Sequence, residues 1–131
     1  MISTKGRYAI RLMLDLAQQG NSNYVPLKDI ASRQQISKKY LEIIVKMLVD
    51  KKLLVAFKGK KGGYKLSRLP EDYTIGEILE LTEETLAPVA CLQSGSISCP
   101  RASFCETLPM WTEFNNIIHD YFFNKKLSDL L

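Results

Sequence analysis

The residues of this chain that are best suited to chemistry are three cysteines, which lie within one short stretch. Cys91, Cys99 and Cys105 are the only cysteines among 131 residues, with seven residues between the first two and five between the last two. Thiolates are natural ligands of iron–sulfur clusters and of zinc. The gaps exceed the C-x-x-C of zinc knuckles, which disfavours zinc. By itself, the odd number of thiols leaves open a metal site, a disulfide or no ligand at all.

A cluster held by three thiols would have one of its four ligand positions open. That position could take another protein group, water or a small molecule, and an oxidant or nitric oxide could attack there. This chemistry fits a sensor better than a four-cysteine electron carrier. The competing interpretation is that the cysteines are small buried apolar residues or thiols without a ligand. The Gly and Ser content of the segment disfavours it, because structural cysteines usually lie in apolar surroundings.

Charge is distributed unevenly between the two halves of the chain. The net charge is +4, with +11 contributed by residues 1–70 and −7 by residues 71–131. Such an asymmetry indicates that the first half meets a polyanion, although an uneven solubilising surface explains it equally well. We expect a cytoplasmic protein, where thiols stay reduced, because the N-terminus does not resemble a signal peptide and no apolar run could span a membrane.

The first half has the pattern of a helix-turn-helix. Apolar residues at helical spacing predict helices over 4–18, from Pro26 to about Gln34, and from Ser37 onward, where the serine can cap the helix start. Leu41, Ile44, Val45 and Leu48 form the buried face of the third helix. Two helices joined by a tight turn are the basis of this motif, which is weak evidence when it stands alone.

A basic hairpin follows the third helix. Residues 53–57 and 63–67 read as strands, and the loop between them carries Lys58, Lys60 and Lys61. Such a loop repels itself unless a polyanion neutralises it. Nine lysines and two acidic residues lie between positions 38 and 65. Three helices followed by a basic hairpin predict a mainly α fold with a small β-hairpin, the winged helix-turn-helix, over residues 1–84.

The third helix and the hairpin also supply candidate contacts to a double-stranded DNA operator. Lys38, Lys39 and Lys46 suit phosphates or guanine edges, and Glu42 could accept from a cytosine amino group. Glu42 could instead pair with Lys38 or Lys46 along the helix. The three hairpin lysines would follow phosphates or enter a minor groove.

Residues 85–131 are predicted to hold the cysteine loop (91–105) and a long helix from about Ala102 to Asn124. Trp111, Phe114, Ile118 and Tyr121 recur at helical spacing in this helix. One small domain has little room to bury so wide an aromatic face, so we expect a homodimer, with packing against the chain's own domain as the alternative. Pro109 indicates either a kink or the true helix start.

Four segments in order resemble the BadM/Rrf-type bacterial regulators, a family with IscR-, RirA-, NsrR- and CymR-like branches. The similarity runs from residue 2 to the C-terminus, through STKGRYAIRLMLDLA, IASRQQISKKYLE, LLVAFKGKKGGYKL and YTIGEILELTE, and then the cysteine triplet. The resemblance implies a dimeric winged-helix transcription factor. It places Tyr40 and Glu42 in a helix that reads the major groove, and Lys58 in a wing that reaches the minor groove.

The resemblance also implies a role for the cysteines. Cluster-binding members carry three in this loop, whereas CymR-like members lack the triplet, so Cys91, Cys99 and Cys105 point to an iron–sulfur cluster, either 2Fe-2S or 4Fe-4S. The fourth ligand does not carry over. IscR-like members have a histidine where this chain has Leu108, and the acidic residue of nitric-oxide sensors corresponds roughly to Arg7.

We therefore expect a transcription regulator whose operator binding is controlled by a cluster. The alternative is the same fold controlled by thiol oxidation or by a protein partner without a cluster. An enzyme is not expected, because no nucleotide-binding glycine loop or nucleophile–base arrangement is visible and only one histidine is present.

Overall fold

A computed structural model describes residues 1–93 and 99–131, so the middle of the cysteine loop lies outside the described residues. Most of the described chain is helical. The helices and strands, in order, are α1 (Thr4–Gln19), α2 (Leu27–Gln34), α3 (Lys38–Asp50), β1 (Leu54–Phe57), β2 (Gly63–Leu66), α4 (Ile75–Thr82) and α5 (Leu108–Asn124). Short 3-10 turns lie at Pro70–Asp72, Ala90–Leu92 and Leu127–Leu130. Within these described ranges, no helix has the length and apolar character that crossing a membrane requires.

Side-chain caps set the starts of three helices. The hydroxyl of Ser3 accepts from the amide of Gly6, and that of Ser37 accepts from the amide of Tyr40. Thr74 and Glu77 form a reciprocal capping box at the start of α4. Each cap satisfies an amide that the first helical turn leaves without a partner. The predicted α3 start at Ser37 is confirmed.

The core lies between α1, α2, α3 and α4. Leu12, Ile30, Ile44, Leu48 and Ile78 are completely buried in one apolar cluster. The spacing of these residues puts one stripe of each helix inward, and the predicted buried face of α3 is confirmed.

The wing is the antiparallel hairpin of β1 and β2, and Val25 pairs with β2 as a single additional bridge. Leu54 pairs with Leu66 and Phe57 with Gly63. The backbone of Val25 exchanges two hydrogen bonds with Tyr64, at 2.8 and 2.9 Å. A side chain on Gly63 would collide with the carbonyl of Val25, so glycine is required at this close approach. Helices α1 to α3 and this hairpin confirm the winged helix-turn-helix.

The C-terminal helix differs from the expectation at its start. It was expected from about Ala102, but residues 101–107 form turns and α5 begins at Leu108, with Pro109 in its first turn. Proline fits there because its missing N–H would have no helical partner anyway, whereas further inside it would break a hydrogen bond. Pro109 therefore marks the helix start.

Candidate functional site

The outward face of α3 is mostly charged. Lys38, Lys39, Glu42 and Lys46 are all exposed, as the spacing predicts. No ion pair joins Glu42 to any residue in the part of the chain that the structure describes. The carboxylate of Glu42 therefore points into solvent, ready to accept from a ligand, and the expected alternative of a pair with Lys38 or Lys46 is not formed.

Ile43 is an apolar exception on this charged face. Its side chain lies outside the buried stripe of α3 and is 52% exposed. Ile43 was not predicted to be a site residue. Its position outside the buried stripe of α3 is the sequence signal that indicates exposure. An exposed branched apolar side chain beside lysines is suited to contact a methyl group within a charged ligand.

Tyr40 lies at the edge of this surface. Its half-buried ring packs edge-on against Tyr8 of α1, with ring centroids 5.6 Å apart. The guanidinium of Arg11 lies 5.3 Å from the centroid of the Tyr8 ring. Tyr40 therefore connects the start of α3 to α1, while part of its ring faces solvent.

A buried carboxylate fixes α2 against α1. Asp15 is 1% exposed and accepts two bonds from the guanidinium of Arg33, at 2.8 and 3.1 Å, and one from the amide of Gln34, at 2.9 Å. The hydrogen bond that Arg33 donates to Asp15 raises the pKa of Arg33. Arg11 in turn donates to Gln34. Because a buried charge needs this full set of partners, the network sets the position of α2, and with it the turn that leads into α3.

The tip of the wing carries the predicted lysines. Lys58, Lys60 and Lys61 are exposed. Gly59 has a φ of 133°, which only glycine adopts readily, and it allows the tight turn between the strands. The three ammonium groups therefore lie together at the end of a narrow projection.

An aromatic pair, missed from the sequence, flanks the wing. The rings of Tyr24 and Phe57 lie 5.3 Å apart, and the ammonium of Lys65 is 4.6 Å from the Tyr24 ring centroid. Phe57 is 53% exposed. Tyr24 and Phe57 line a concave surface together with Lys60 and Lys61. The wing thus combines positive charge with exposed rings.

The cysteine loop leads directly into α5. Cys91 is exposed in the Ala90–Leu92 turn, and Cys99 and Cys105 are partly buried. Among the residues that the structure describes, no three His, Cys, Asp or Glu side chains are grouped closely enough to hold a metal. The donor set fits an iron–sulfur cluster by its chemistry, but the loop would have to draw the three thiols together.

Cys105 lies just ahead of α5. Its sulfur is 3.4 Å from the hydroxyl of Thr107. Hydrogen bonds from this hydroxyl and from the amides of Thr107 and Leu108 lower the pKa of the Cys105 thiol. The environment therefore favours the thiolate, which is the form that binds metals and reacts with oxidants.

Four residues bear on the question of a fourth ligand: Leu108 and His119 on α5, Arg7 on α1, and Glu106 in the turn before α5. Leu108 has no donor atom, and Arg7 donates to the Thr4 hydroxyl in the first turn of α1. Glu106 is exposed next to Cys105. His119 lies well along α5, where its ring stacks on Phe123 at 4.3 Å. Glu106 is thus the candidate carboxylate adjacent to a thiol.

One face of α5 is apolar and uncovered. Met110, Phe114, Ile117 and Tyr121 are each between 45% and 59% exposed. The opposite side contacts α4, where the ring of Phe123 leaves no room for a side chain on Gly76. Both parts of the expectation for this helix therefore have a structural basis, since one flank packs on the chain's own domain and the other does not.

Comparison with known proteins identifies the family. Residues 2–131 match the family described as Rrf2, iron-dependent transcriptional regulator. This chain belongs to the Rrf2 family. Protein rrf2 of Nitratidesulfovibrio vulgaris is 35% identical over 130 residues, which cover 99% of this chain and 86% of that protein. The family resemblance expected from the sequence is confirmed.

Solved Rrf2-type structures have the same fold. The structure of CymR, named the global cysteine regulator of B. subtilis, has a TM-score of 0.82 and 30% identity, and the match covers 99% of this chain and 95% of CymR. T. potens IscR has a TM-score of 0.79 and 32% identity, with coverage of 99% and 85%. The chain is therefore a winged-helix transcriptional regulator of the Rrf2 family, with neighbours in both the IscR and the CymR branches.

Proposed function

We propose that this Rrf2-family regulator binds operator DNA as a homodimer and that an iron–sulfur cluster held by Cys91, Cys99 and Cys105 controls the binding. The observation that carries the proposal is the position of the three thiols. They lie in a loop that joins the winged helix to α5, the helix with the uncovered apolar face. A change in this loop can therefore alter the relation between two DNA-binding units.

The basic surface supports the DNA-binding part. Lys38, Lys39 and Lys46 on α3 are exposed, as are the lysines of the wing tip. Lysines that neutralise phosphates release counterions and supply affinity, while side chains at base edges supply sequence preference. In this proposal the half-buried Tyr40 and the exposed Glu42 and Ile43 would meet base edges. We assign α3 to the major groove and the wing lysines to the adjacent backbone or minor groove.

The apolar face of α5 supports the homodimer. Four large apolar side chains on one helix face remain exposed in the single chain, which is costly unless a partner covers them. A second copy presents the same face, so a two-fold contact would cover both at once. Two α3 helices would then read a roughly two-fold operator with half-sites about one helical turn apart.

The cysteine chemistry supports the regulation. Cys91, Cys99 and Cys105 would hold the cluster, which would supply a redox-sensitive group, and its loss would leave the three thiols without a crosslink. The low thiol pKa at Cys105 favours the ligand form, and Glu106 or a small molecule could occupy the fourth position. Thiolates that are drawn together would hold Cys105 close to Cys91 and so fix the start of α5 relative to α4. Both two-iron and four-iron clusters fit three thiols.

The alternative is control by thiol oxidation or by a protein partner, without a cluster. The similarity to CymR favours it, since the CymR structure is as similar in fold as that of IscR. The thiolate-favouring environment of Cys105 would serve oxidation as well as it serves metal binding.

Anaerobic reconstitution with iron and sulfide separates the two. We expect the reconstituted protein to hold iron, acid-labile sulfide and visible absorption, and Cys91→Ser, Cys99→Ser and Cys105→Ser each to lose most of all three. Ser103→Ala, a change in the same loop without a thiol, is the control and should keep the cluster. Binding to a duplex selected from a random-sequence pool is then measured with and without the cluster.

A colourless protein that retains neither iron nor sulfide contradicts the cluster proposal. If the DNA affinity of that protein changes on oxidation and recovers with a thiol reductant, the alternative is supported instead. If the protein selects no duplex in any state, the DNA-binding assignment is wrong.

A further inference from the structure

Tyr73 lies where the wing meets the C-terminal end of α5. It is completely buried, in the segment between β2 and α4. Its side chain reaches the wing and its main chain reaches the residues after α5. No part of the proposed function uses it so far.

The hydroxyl of Tyr73 joins the two strands of the wing at their base. It donates to the carbonyl of Leu53, just before β1, at 2.7 Å. It accepts from the amides of Ser67 and Arg68, just after β2, at 2.9 and 3.0 Å. One oxygen atom therefore holds both ends of the hairpin.

The ring of Tyr73 is held in place as well. The guanidinium of Arg68 lies 4.5 Å from its centroid, and Arg68 is fixed by a 2.7 Å ion pair to Glu77 on α4. The hydrogen bond that Arg68 donates to Glu77 raises the pKa of Arg68. Glu77 also caps α4 through Thr74. The tyrosine is thus fixed relative to α4.

The main chain next to Tyr73 is bound to the segment that follows α5. The amide of Leu127 donates to the carbonyl of Tyr73 at 3.0 Å, and the amide of Ile75 donates to the carbonyl of Lys125 at 2.8 Å. Leu127 itself is completely buried. The end of α5, Tyr73 and the base of the wing therefore form one connected unit.

We propose that Tyr73 is a positioning residue for DNA binding: its hydroxyl fixes the base of the wing relative to α5 and so places the wing lysines on the DNA. A two-stranded hairpin is barely stable alone, and its direction depends on what holds its base. The proposal rests on the proposed function, because it requires the wing lysines to contact DNA. A shift of α5 would reach the wing through this residue.

The test combines Tyr73→Phe with removal of the wing charge. Phenylalanine keeps the ring, its contact with Arg68 and both main-chain bonds, and removes only the hydroxyl. Tyr73→Phe leaves the Leu53 carbonyl and the amides of Ser67 and Arg68 without this partner, which should loosen the base of the wing. We therefore expect it to weaken binding to a duplex selected by the wild type by about tenfold. In a Lys58→Ala, Lys60→Ala, Lys61→Ala background, Tyr73→Phe should change DNA affinity by less than about twofold, because the position of the wing matters only while its lysines contact DNA.

Two further measurements separate positioning from general loss of structure. Amide exchange at Ser67 and Arg68 should become faster in Tyr73→Phe, while exchange in α1 and α3 stays as in the wild type. Thr112→Val removes a hydroxyl from an exposed position of α5 outside its apolar face and is the control, with unchanged exchange at these amides. If Tyr73→Phe does not fold, Ser67→Ala takes its place. Ser67 is exposed, and its hydroxyl lies 3.2 Å from that of the buried Tyr73.

Each outcome decides the proposal. The positioning role is overturned if Tyr73→Phe binds DNA as tightly as the wild type, or if it causes the same loss with and without the wing lysines. The DNA-binding function is left intact in both cases. A wing-lysine variant with unchanged affinity overturns it too, since the wing is then off the DNA. A wild-type protein that selects no duplex instead overturns the proposed function itself.

Discussion

At the residue scale, the side chains of α3 differ in how they can recognise DNA. The lysines offer positive charge to any phosphate, so they raise affinity on every sequence. Glu42 and Ile43 carry no positive charge and gain only at particular bases. An isoleucine that is 52% exposed would be more stable if a ligand covered it. We expect Ile43 to contact the 5-methyl group of a thymine.

Ile43→Ala tests this contact. Alanine lacks the atoms that would reach the methyl group, so the variant should lose about tenfold in affinity for a selected duplex, on the order of the transfer of two methylene groups from water. Replacing each thymine of the duplex in turn by deoxyuridine removes only the methyl group. One such replacement should weaken the wild type and leave Ile43→Ala unaffected, as measured by fluorescence anisotropy.

Val55→Ala is the control for Ile43→Ala, because Val55 is an exposed apolar residue on the wing strand rather than on α3. It should keep the full response to deoxyuridine. If no single deoxyuridine replacement distinguishes the wild type from Ile43→Ala, Ile43 does not read a thymine.

At the element scale, the parts that sequence could predict are those with local causes. Apolar spacing and the caps at Ser37 and Thr74 depend on residues three or four positions apart, and both appear in the structure. The start of α5 was wrong by about six residues, because apolar spacing carries no information on which turn is the first. Pro109 was the local signal for that start.

Contacts between distant residues could not be predicted in the same way. Asp15 bonds to Arg33 and Gln34, eighteen and nineteen positions away, and Tyr73 reaches Leu53 across twenty. Only the folded chain brings these groups together. The candidate site therefore divides into surface lysines, which composition and periodicity reveal, and buried positioning residues, which they do not.

The three wing lysines are expected to contribute to DNA affinity together, through their positive charge. Replacing Lys58, Lys60 and Lys61 together with Ala should weaken binding to every duplex to a similar degree. The slope of log affinity against log salt should fall by about 3, because each phosphate contact contributes about 0.9. Titrations at several salt concentrations measure this slope. A double change of Lys125 and Lys126 to Ala, at the far end of α5, is the control, and an unchanged slope in the wing variant would place the wing off the DNA.

At the scale of the whole molecule, the chain is built from two parts with opposite surfaces. Residues 1–70, which include α1 to α3 and the hairpin, carry a charge of +11, and residues 71–131 carry −7. The negative charge of residues 71–131 is repelled by DNA, so this part of the chain is available for contacts with other partners. Its apolar α5 face suits a second copy, whose α5 is equally uncovered. The dimer would place two positive surfaces side by side with the acidic regions away from the phosphates.

Ile117→Glu tests whether the α5 face joins two copies. Ile117 is 56% exposed near the middle of the face, and a two-fold contact would bury both new carboxylates without partners. We expect the wild type to be a dimer and the variant a folded monomer, by light scattering at micromolar concentration, with a lower Tm because the partner no longer stabilises the folded state. Asn116→Glu introduces the same charge at an exposed position next to Ile117 but off the apolar face, and should stay dimeric.

A monomer that reads one half-site also loses the second set of contacts, so the affinity of Ile117→Glu for the selected duplex should fall far more than that of Asn116→Glu. A dimeric Ile117→Glu would assign the face to a different partner, and the two-fold operator would then need another interface.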